Sequence, residues 1–145
     1  MGLPALAADY LFIGPLIVAR LVDQVPDIAV DLVERADQVL KADQRSKVLM
    51  VMWAGDRFND EARQGASQQV QQRWLAILAL NNVGKLAASR SNAAGQLLSQ
   101  VHLALAGWAP EGSPRPLKRA NAPMAPTFTD TKAVFPLGFE VQLTL

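Results

Sequence analysis

The sequence has no cysteine and a single histidine, His102. Without thiols there is no disulfide framework, no cysteine-based zinc site, no iron–sulfur cluster and no thiol nucleophile. One imidazole cannot build a histidine-pair metal site or a dyad that reuses imidazole within one subunit. Charge of one sign is also scarce: 14 Lys and Arg stand against 13 Asp and Glu. The basic footprint of a dedicated nucleic-acid binder is therefore absent at the level of net charge. The apolar opening, Met1 to Val22, has no basic leader and is interrupted by Pro4, Asp9, Gly14, Pro15 and Arg20. That pattern speaks against a signal peptide or a membrane span, and the expectation is a soluble product made in the cytoplasm. Leu6 stands where an N-terminal acylation signal needs Ser or Thr. Finally, there is no Walker loop, G-x-G-x-x-G, G-x-S-x-G or H-E-x-x-H. No catalytic residue, cofactor site or metal site is expected, and the chain reads as a non-enzyme.

What is present is one strongly patterned domain over residues 1–145. From Ala133 to Leu145, Phe135, Leu137, Phe139, Val141, Leu143 and Leu145 alternate with Pro136, Gly138, Glu140, Gln142 and Thr144. Strict alternation predicts a strand with one buried and one polar face, completing a sheet begun by earlier segments. Pro136 must lie at an edge, face its missing donor outward, or precede the paired region. Upstream, Pro15 to Gln24 predicts a helix ended by Val25-Pro26, and Ile28, Val30 and Leu32 predict a modest strand. A short helix is expected over Glu34 to Ala42. Val48 to Ala54 is a short apolar run between polar turns, the pattern of a strand covered on both faces. Ser67 to Asn82 predicts its partner, glutamine-rich in its first half. That polar half is expected to project beyond the core, so that the pair forms a long hairpin arm.

After a turn at Asn81 to Lys85, Ser89 or Ser91 is placed to cap a helix. Its stripe is Ala94, Leu97, Leu98, Val101, Leu105 and Trp108, and Pro110 is expected to stop it. Glu111 to Thr131 then reads as a long loop with four prolines and a basic cluster. The expected fold is α/β (α+β), a single mixed, mostly antiparallel sheet of about four strands packed against two to three helices.

Several residues invite a chemical reading. Asp56, Asp60 and Glu61 could be imagined as oxygen ligands, but their spacing is not that of a calcium loop, and Arg57 and Arg63 lie among them. A solvated or partner-facing loop is the better reading. His102 lies beside the helix stripe with no acid at helical spacing to orient it, so a half-buried structural histidine is expected. Trp53, Trp74 and Trp108 fall in three separate elements and are expected to anchor the core. Arg115, Lys118 and Arg119 could touch DNA or an acidic partner, or be merely solvated. An extended edge of uncharged polar side chains, Gln68, Gln69, Gln71 and Gln72, invites pairing with another chain.

Six stretches taken together resemble the tail terminator proteins of long-tailed bacteriophages. They are Leu11-Phe-Ile-Gly-Pro-Leu-Ile, Met52-Trp-Ala-Gly-Asp56, Gln72-Arg-Trp-Leu75, Ala94-Gly-Gln-Leu97, Ala104-Leu-Ala-Gly-Trp-Ala-Pro110 and Phe135-Pro-Leu-Gly-Phe-Glu140. The likeness covers nearly the whole chain in order and rests on turn and packing signatures with no catalytic content. It implies a small α/β virion protein that assembles as a homohexameric ring on the head-proximal end of the tail tube. Such a ring ends tube polymerisation and offers a surface for head attachment. Its partners would be further copies of itself, the tail tube protein and head-completion or connector proteins. DNA would pass only as cargo, and no membrane is involved.

The family offers no active site to carry over. The candidate subunit, tube or channel contacts are therefore the hairpin residues Arg57, Phe58, Asp60, Glu61 and Arg63, the half-strand Gln68, Gln69, Gln71 and Gln72, and the loop residues Arg115, Lys118 and Arg119. Three other readings compete: a tail-completion or head–tail connector subunit, a ligand-binding accessory subunit of an enzyme with tryptophans lining a pocket, and a DNA binder acting through the basic loop.

Overall fold

The computed structural model describes residues 8–34, 47–58, 69–81, 87–129 and 132–144. Helix α1 spans Ile13–Gln24, and Ile13, Gly14, Ile17 and Leu21 form its buried stripe. It stops where expected: Val25 leaves helical geometry ahead of Pro26, and its N–H still reaches Leu21 O. Strand β1 (Ala29–Val33) follows, then β2 (Lys47–Phe58) and β3 (Gln69–Asn81). Helix α2 (Ala87–Leu105) leads to the short strands β4 (Lys118–Ala120) and β5 (Thr127–Phe128) and the closing strand β6 (Lys132–Thr144).

These strands form one sheet in the order β1-β2-β3-β6-β4, with β5 also paired to β6. β1 runs parallel to β2 and the remaining pairs are antiparallel. The sheet thus has six strands rather than about four, because the loop after α2 folds back and contributes β4 and β5. Proline-rich composition concealed them, as neither strand is long enough to show alternation.

α1 and α2 pack on one face of the sheet. Leu49 and Val51 of β2, Trp74, Ala76, Leu78 and Leu80 of β3, and Phe139, Val141 and Leu143 of β6 share a core with Ile17, Leu21, Val101 and Leu105 of the helices. The opposite face carries a smaller apolar cluster of Val48, Met50, Met52, Leu75, Ile77, Ala79 and Val134, against which Ala122 and Met124 pack. β2 is therefore covered on both faces, as its unbroken apolar run predicts.

The closing strand departs from its simple pattern. Phe139, Val141 and Leu143 are buried as expected, but so are Pro136, Gly138 and Glu140 of the even-numbered set. The segment from β4 to Met124 covers part of that face, which alternation within β6 could not reveal. Pro136 is opposite Ile77 of β3, while on the outer side pairing covers Ala133 and Val134 and resumes at Gly138. The residue without a donor sits in the gap between two edge strands, where no ladder bond is lost to it.

Three further expectations are corrected. The glutamine-rich half of β3 does not project: Gln69 to Gln72 pair with Thr144 to Val141 of β6, and Val70 and Gln72 are fully buried. Ser89 and Ser91 lie inside α2, which begins at Ala87, so neither occupies the capping position. That helix ends at Leu105 instead of running to Pro110, because Gly107 adopts φ 81° and turns the chain out of it. The Gly107 N–H then bonds Leu117 O at 2.8 Å and the Leu117 N–H bonds Trp108 O at 2.9 Å, tying the helix end to the segment entering β4. The helix expected over Glu34 to Ala42 falls almost wholly outside the described residues, as do most of the 81–85 turn and the tip of the hairpin. Among the described residues no helix is long and apolar enough to cross a membrane.

Candidate functional site

The polar end of the sheet is built by a bulge in β2. Trp53 pairs with Trp74, yet Asp56 pairs with Gln72, so one extra residue is inserted between them. Gly55 makes this possible with φ 92°, a backbone conformation that side-chain-bearing residues rarely adopt. One inserted residue reverses which face each later side chain occupies. Leu49 and Val51 face the helices, but Arg57, of the same parity, pairs with Gln71 and joins the opposite face. Asp56 turns toward the helix side.

On that helix side, Asp56 accepts hydrogen bonds from the Tyr10 hydroxyl and, at 3.1 Å, from Trp53 Nε1. The Tyr10 and Trp53 rings meet edge to face, with centroids 6.2 Å apart. Gln72 completes the group: its Nε2 donates to Tyr10 O and its Oε1 accepts from Trp74 Nε1, each at 2.9 Å. Burial pushes the Tyr10 hydroxyl up to about 12, reinforced by its hydrogen bond to Asp56 and by the charge there. The polar groups of Tyr10, Trp53, Asp56, Gln72 and Trp74 thus find partners within the cluster. Its role is to lock the segment before α1 onto the β2 bulge.

The opposite side is different in character. Lys118 on β4, Glu140 on β6 and Arg73 on β3 stand directly opposite one another across three strands. The next row is Gln142, Gln71 and Arg57, with Gln71 Nε2 3.5 Å from Gln142 Oε1. Arg57 reaches diagonally over β3 to place Nη2 3.1 Å from Glu140 Oε1. Arg57, Arg73, Lys118 and Glu140 line an open cleft of about 470 Å³ together with Arg119, Ala120 and Asn121. A smaller cleft of about 220 Å³ continues from it past Arg115 and Pro116. Arg57, Arg73 and Lys118 thus stand around one carboxylate, and the Glu140 side chain is 7% exposed.

Two of the cations are held in place by the fold. Arg119 donates to Gly138 O at 2.7 Å and lies over the Phe139 ring, 5.3 Å from its centroid. Arg73 makes one long bond to Ala54 O, 3.4 Å, while its Nε is buried without a partner. A buried unpartnered donor costs about 1–3 kcal/mol.

The structure therefore joins two sets that the sequence places far apart. Arg57 of the hairpin and Lys118 and Arg119 of the basic loop share one cleft, and Arg115 borders its extension. Phe58, 47% exposed, ends β2 opposite Val70 and so belongs to the other face of the sheet, and Gln69 is exposed at the start of β3. Gln72 is excluded, being buried and committed to Tyr10 and Trp74. Asp60, Glu61, Arg63 and Gln68 lie outside the described residues. Sequence reasoning missed Arg73 and Glu140 as members. A signal existed: Glu140 and Gln142 are the polar positions of the most regular strand, and a cation on a neighbouring strand was their natural complement.

The remaining chemical readings resolve by position. His102 is exposed, not half-buried. Two of the three tryptophans anchor the core: Trp74 is buried in it and Trp108, half-buried under the Arg20 guanidinium, packs against it, whereas Trp53 is 39% exposed on Asp56. No tryptophan lines either cleft. Among the described residues no group of three or more His, Asp or Glu side chains is placed to hold a metal ion.

Glycines in four of the six stretches that carry the family resemblance have physical roles. A Cβ at Gly14 would meet the Trp74 ring at 2.8 Å, and one at Gly138 would meet Ala120 O at 2.7 Å, so both glycines are sites of close approach. Gly55 and Gly107 supply left-handed turns. No curated protein matches the chain. A family profile described as phage tail terminator protein matches residues 7–145. Proteins of that family are structural components of the virion, so the chain is a phage tail protein, works through contacts with other tail components and is not an enzyme. With the match spanning all but the first six residues, the chain belongs to the phage tail terminator protein family.

Proposed function

We propose that this protein caps the head-proximal end of the phage tail tube as a homohexameric ring, ending tube polymerisation and presenting the surface to which the head attaches. The observation that carries the proposal is the family match along residues 7–145. Two features of the structure support a role in assembly. The cationic cleft gathers its side chains from four strands, and Phe58, on the other face at the end of β2, is left exposed. A closed ring requires heterologous contacts, in which one patch of a subunit meets a different patch of the next.

The nominated contacts are Arg57, Phe58, Gln69, Gln71, Arg115, Lys118 and Arg119, with Asp60, Glu61, Arg63 and Gln68 of the same hairpin. Their partners would be neighbouring subunits, the tail tube protein or the head-completion proteins, with DNA passing through the ring as cargo. The test is tail length by electron microscopy in lysates of a phage lacking the gene. Overlong or irregular tubes without heads are expected. Tails of normal length that fail to join heads would instead assign the protein to the connector between tail and head.

A further inference from the structure

We infer that the cleft between β4, β6, β3 and β2 is a binding site for carboxylate side chains, and that its ligand is a short acidic segment of a partner protein. It deepens the assembly role proposed above by naming a partner chemistry, but it is tested on the isolated protein.

Arg57, Arg73 and Lys118 present their charges to the cleft against one carboxylate, Glu140, while the Arg119 guanidinium at its border is committed to Phe139 and Gly138 O. Glu140 is engaged by Arg57. Arg73 has one long backbone bond and an unpartnered buried Nε, so its half-buried guanidinium is desolvated without a carboxylate in return. Lys118 stands beside it across Glu140, exposed. Cations gathered on one concave wall hold a local positive potential that a bound anion would relieve, and bonds to charged partners are the strong ones.

The cleft already shows which anion it accommodates. Arg57 holds the Glu140 carboxylate at 3.1 Å, against the row of Gln71 and Gln142 amides. A second carboxylate placed between Arg73 and Lys118 would meet the same kind of donors. Nucleic acid fits less well. A duplex presents charge at about 1.7 Å intervals along its axis and is gripped by a stripe of cations, whereas these cations are confined to one concavity. The chain as a whole carries a formal charge of only +1, without the basic footprint of a phosphate-backbone binder. The amide-lined extension past Arg115 and Gln142 gives a peptide of several residues somewhere to continue.

The test is a titration of the full-length protein with hexaglutamate, with hexaglutamine as the uncharged control, followed by amide NMR shifts at low and high salt. Expected are shifts centred on Arg73, Lys118 and Glu140, weakening with salt, and no binding of hexaglutamine. Lys118→Glu, at an exposed position, should keep the fold and weaken hexaglutamate binding at least about tenfold. Arg73→Gln should do the same, and Glu140→Gln, which frees Arg57 and removes the resident carboxylate, should tighten it. Failure of hexaglutamate to bind, or affinity unchanged in Lys118→Glu, would overturn the assignment. So would a DNA duplex or inorganic phosphate that binds these residues more tightly than the peptide. A phage lacking the gene can still make overlong tails if this site is wrong, so the two tests fail separately.

Discussion

The six-membered ring of Trp74 on β3 rests against the bare Cα of Gly14 on α1, so closely that a Cβ there would lie 2.8 Å from Cη2 and 3.0 Å from Cζ3. Trp74 is also held from the other side, since its Nε1 donates to Gln72. The ring cannot retreat without breaking that bond. Gly14→Ala is expected to cost about 1–3 kcal/mol by overpacking. Gly95, exposed within α2 and with nothing near its Cβ position, is the control. Gly95→Ala should be neutral or stabilise by up to about 1 kcal/mol. Urea denaturation of both variants measures the difference, and equal midpoints would disprove the close-approach account.

A second close approach joins Gly138 to β4. Its Cβ would meet Ala120 O at 2.7 Å and Ala122 N at 2.9 Å, both backbone atoms that cannot swing aside. Gly138→Ala should therefore push β4 off β6 while leaving β3 and β6 paired. Hydrogen exchange would show this as faster exchange confined to residues 118–120. It should also disturb the cleft, because Lys118 and Arg119 are carried on that strand.

Gln72 distinguishes a structural polar residue from a surface contact. It is fully buried, and its amide serves both Tyr10 O and Trp74 Nε1. Gln72→Leu leaves both groups without their partner and should destabilise the isolated chain by about 1–3 kcal/mol. Gln69→Leu, at an exposed position, should stay within about 0.5 kcal/mol. The reverse ranking in thermal unfolding would return Gln72 to the surface.

Tyr10 supplies a pH signature. Its hydroxyl ionises at about 12 in the folded chain against 10.0 ordinarily, because burial and the bond to Asp56 favour the neutral form. The folded state thus holds the proton where the unfolded chain releases it. This contribution to stability is complete below pH 10, falls between 10 and 12, and is lost above the folded value. Tyr10 is the sole tyrosine, so phenolate absorbance reports it alone. A midpoint near 10 in the folded protein would rule the cluster out, and Tyr10→Phe should remove this part of the alkaline decline.

Much of the fold was legible along the chain. The periodicities that predict α1, β2, β3 and β6 are properties of single segments: one apolar stripe, one unbroken apolar run, one strict alternation. Pro26 marked its boundary because the restriction it imposes is local. Pro110 did not, since Gly107 had already taken up the left-handed turn that ends α2, and a glycine does not announce its φ. β4 and β5 left no period to read, being too short, and the close approach of β4 to β6 depends on Gly138, distant from it in sequence.

The candidate site divides the same way. Sequence alone determined the inventory: no thiol, one imidazole, balanced charge, glutamines beside a tryptophan, and the glycine and proline signatures by which the family is recognised. Tertiary structure decided which of those residues face solvent together. The one-residue bulge at Gly55 sent Arg57 to one face and Asp56 to the other, while the pairing of β6 with β3 and β4 set Glu140 between Arg73 and Lys118. A side chain's face depends on every residue counted before it in its strand and on the strands either side. That is why a single inserted residue could change the faces of Arg57 and Phe58 without changing the pattern that predicted the strand.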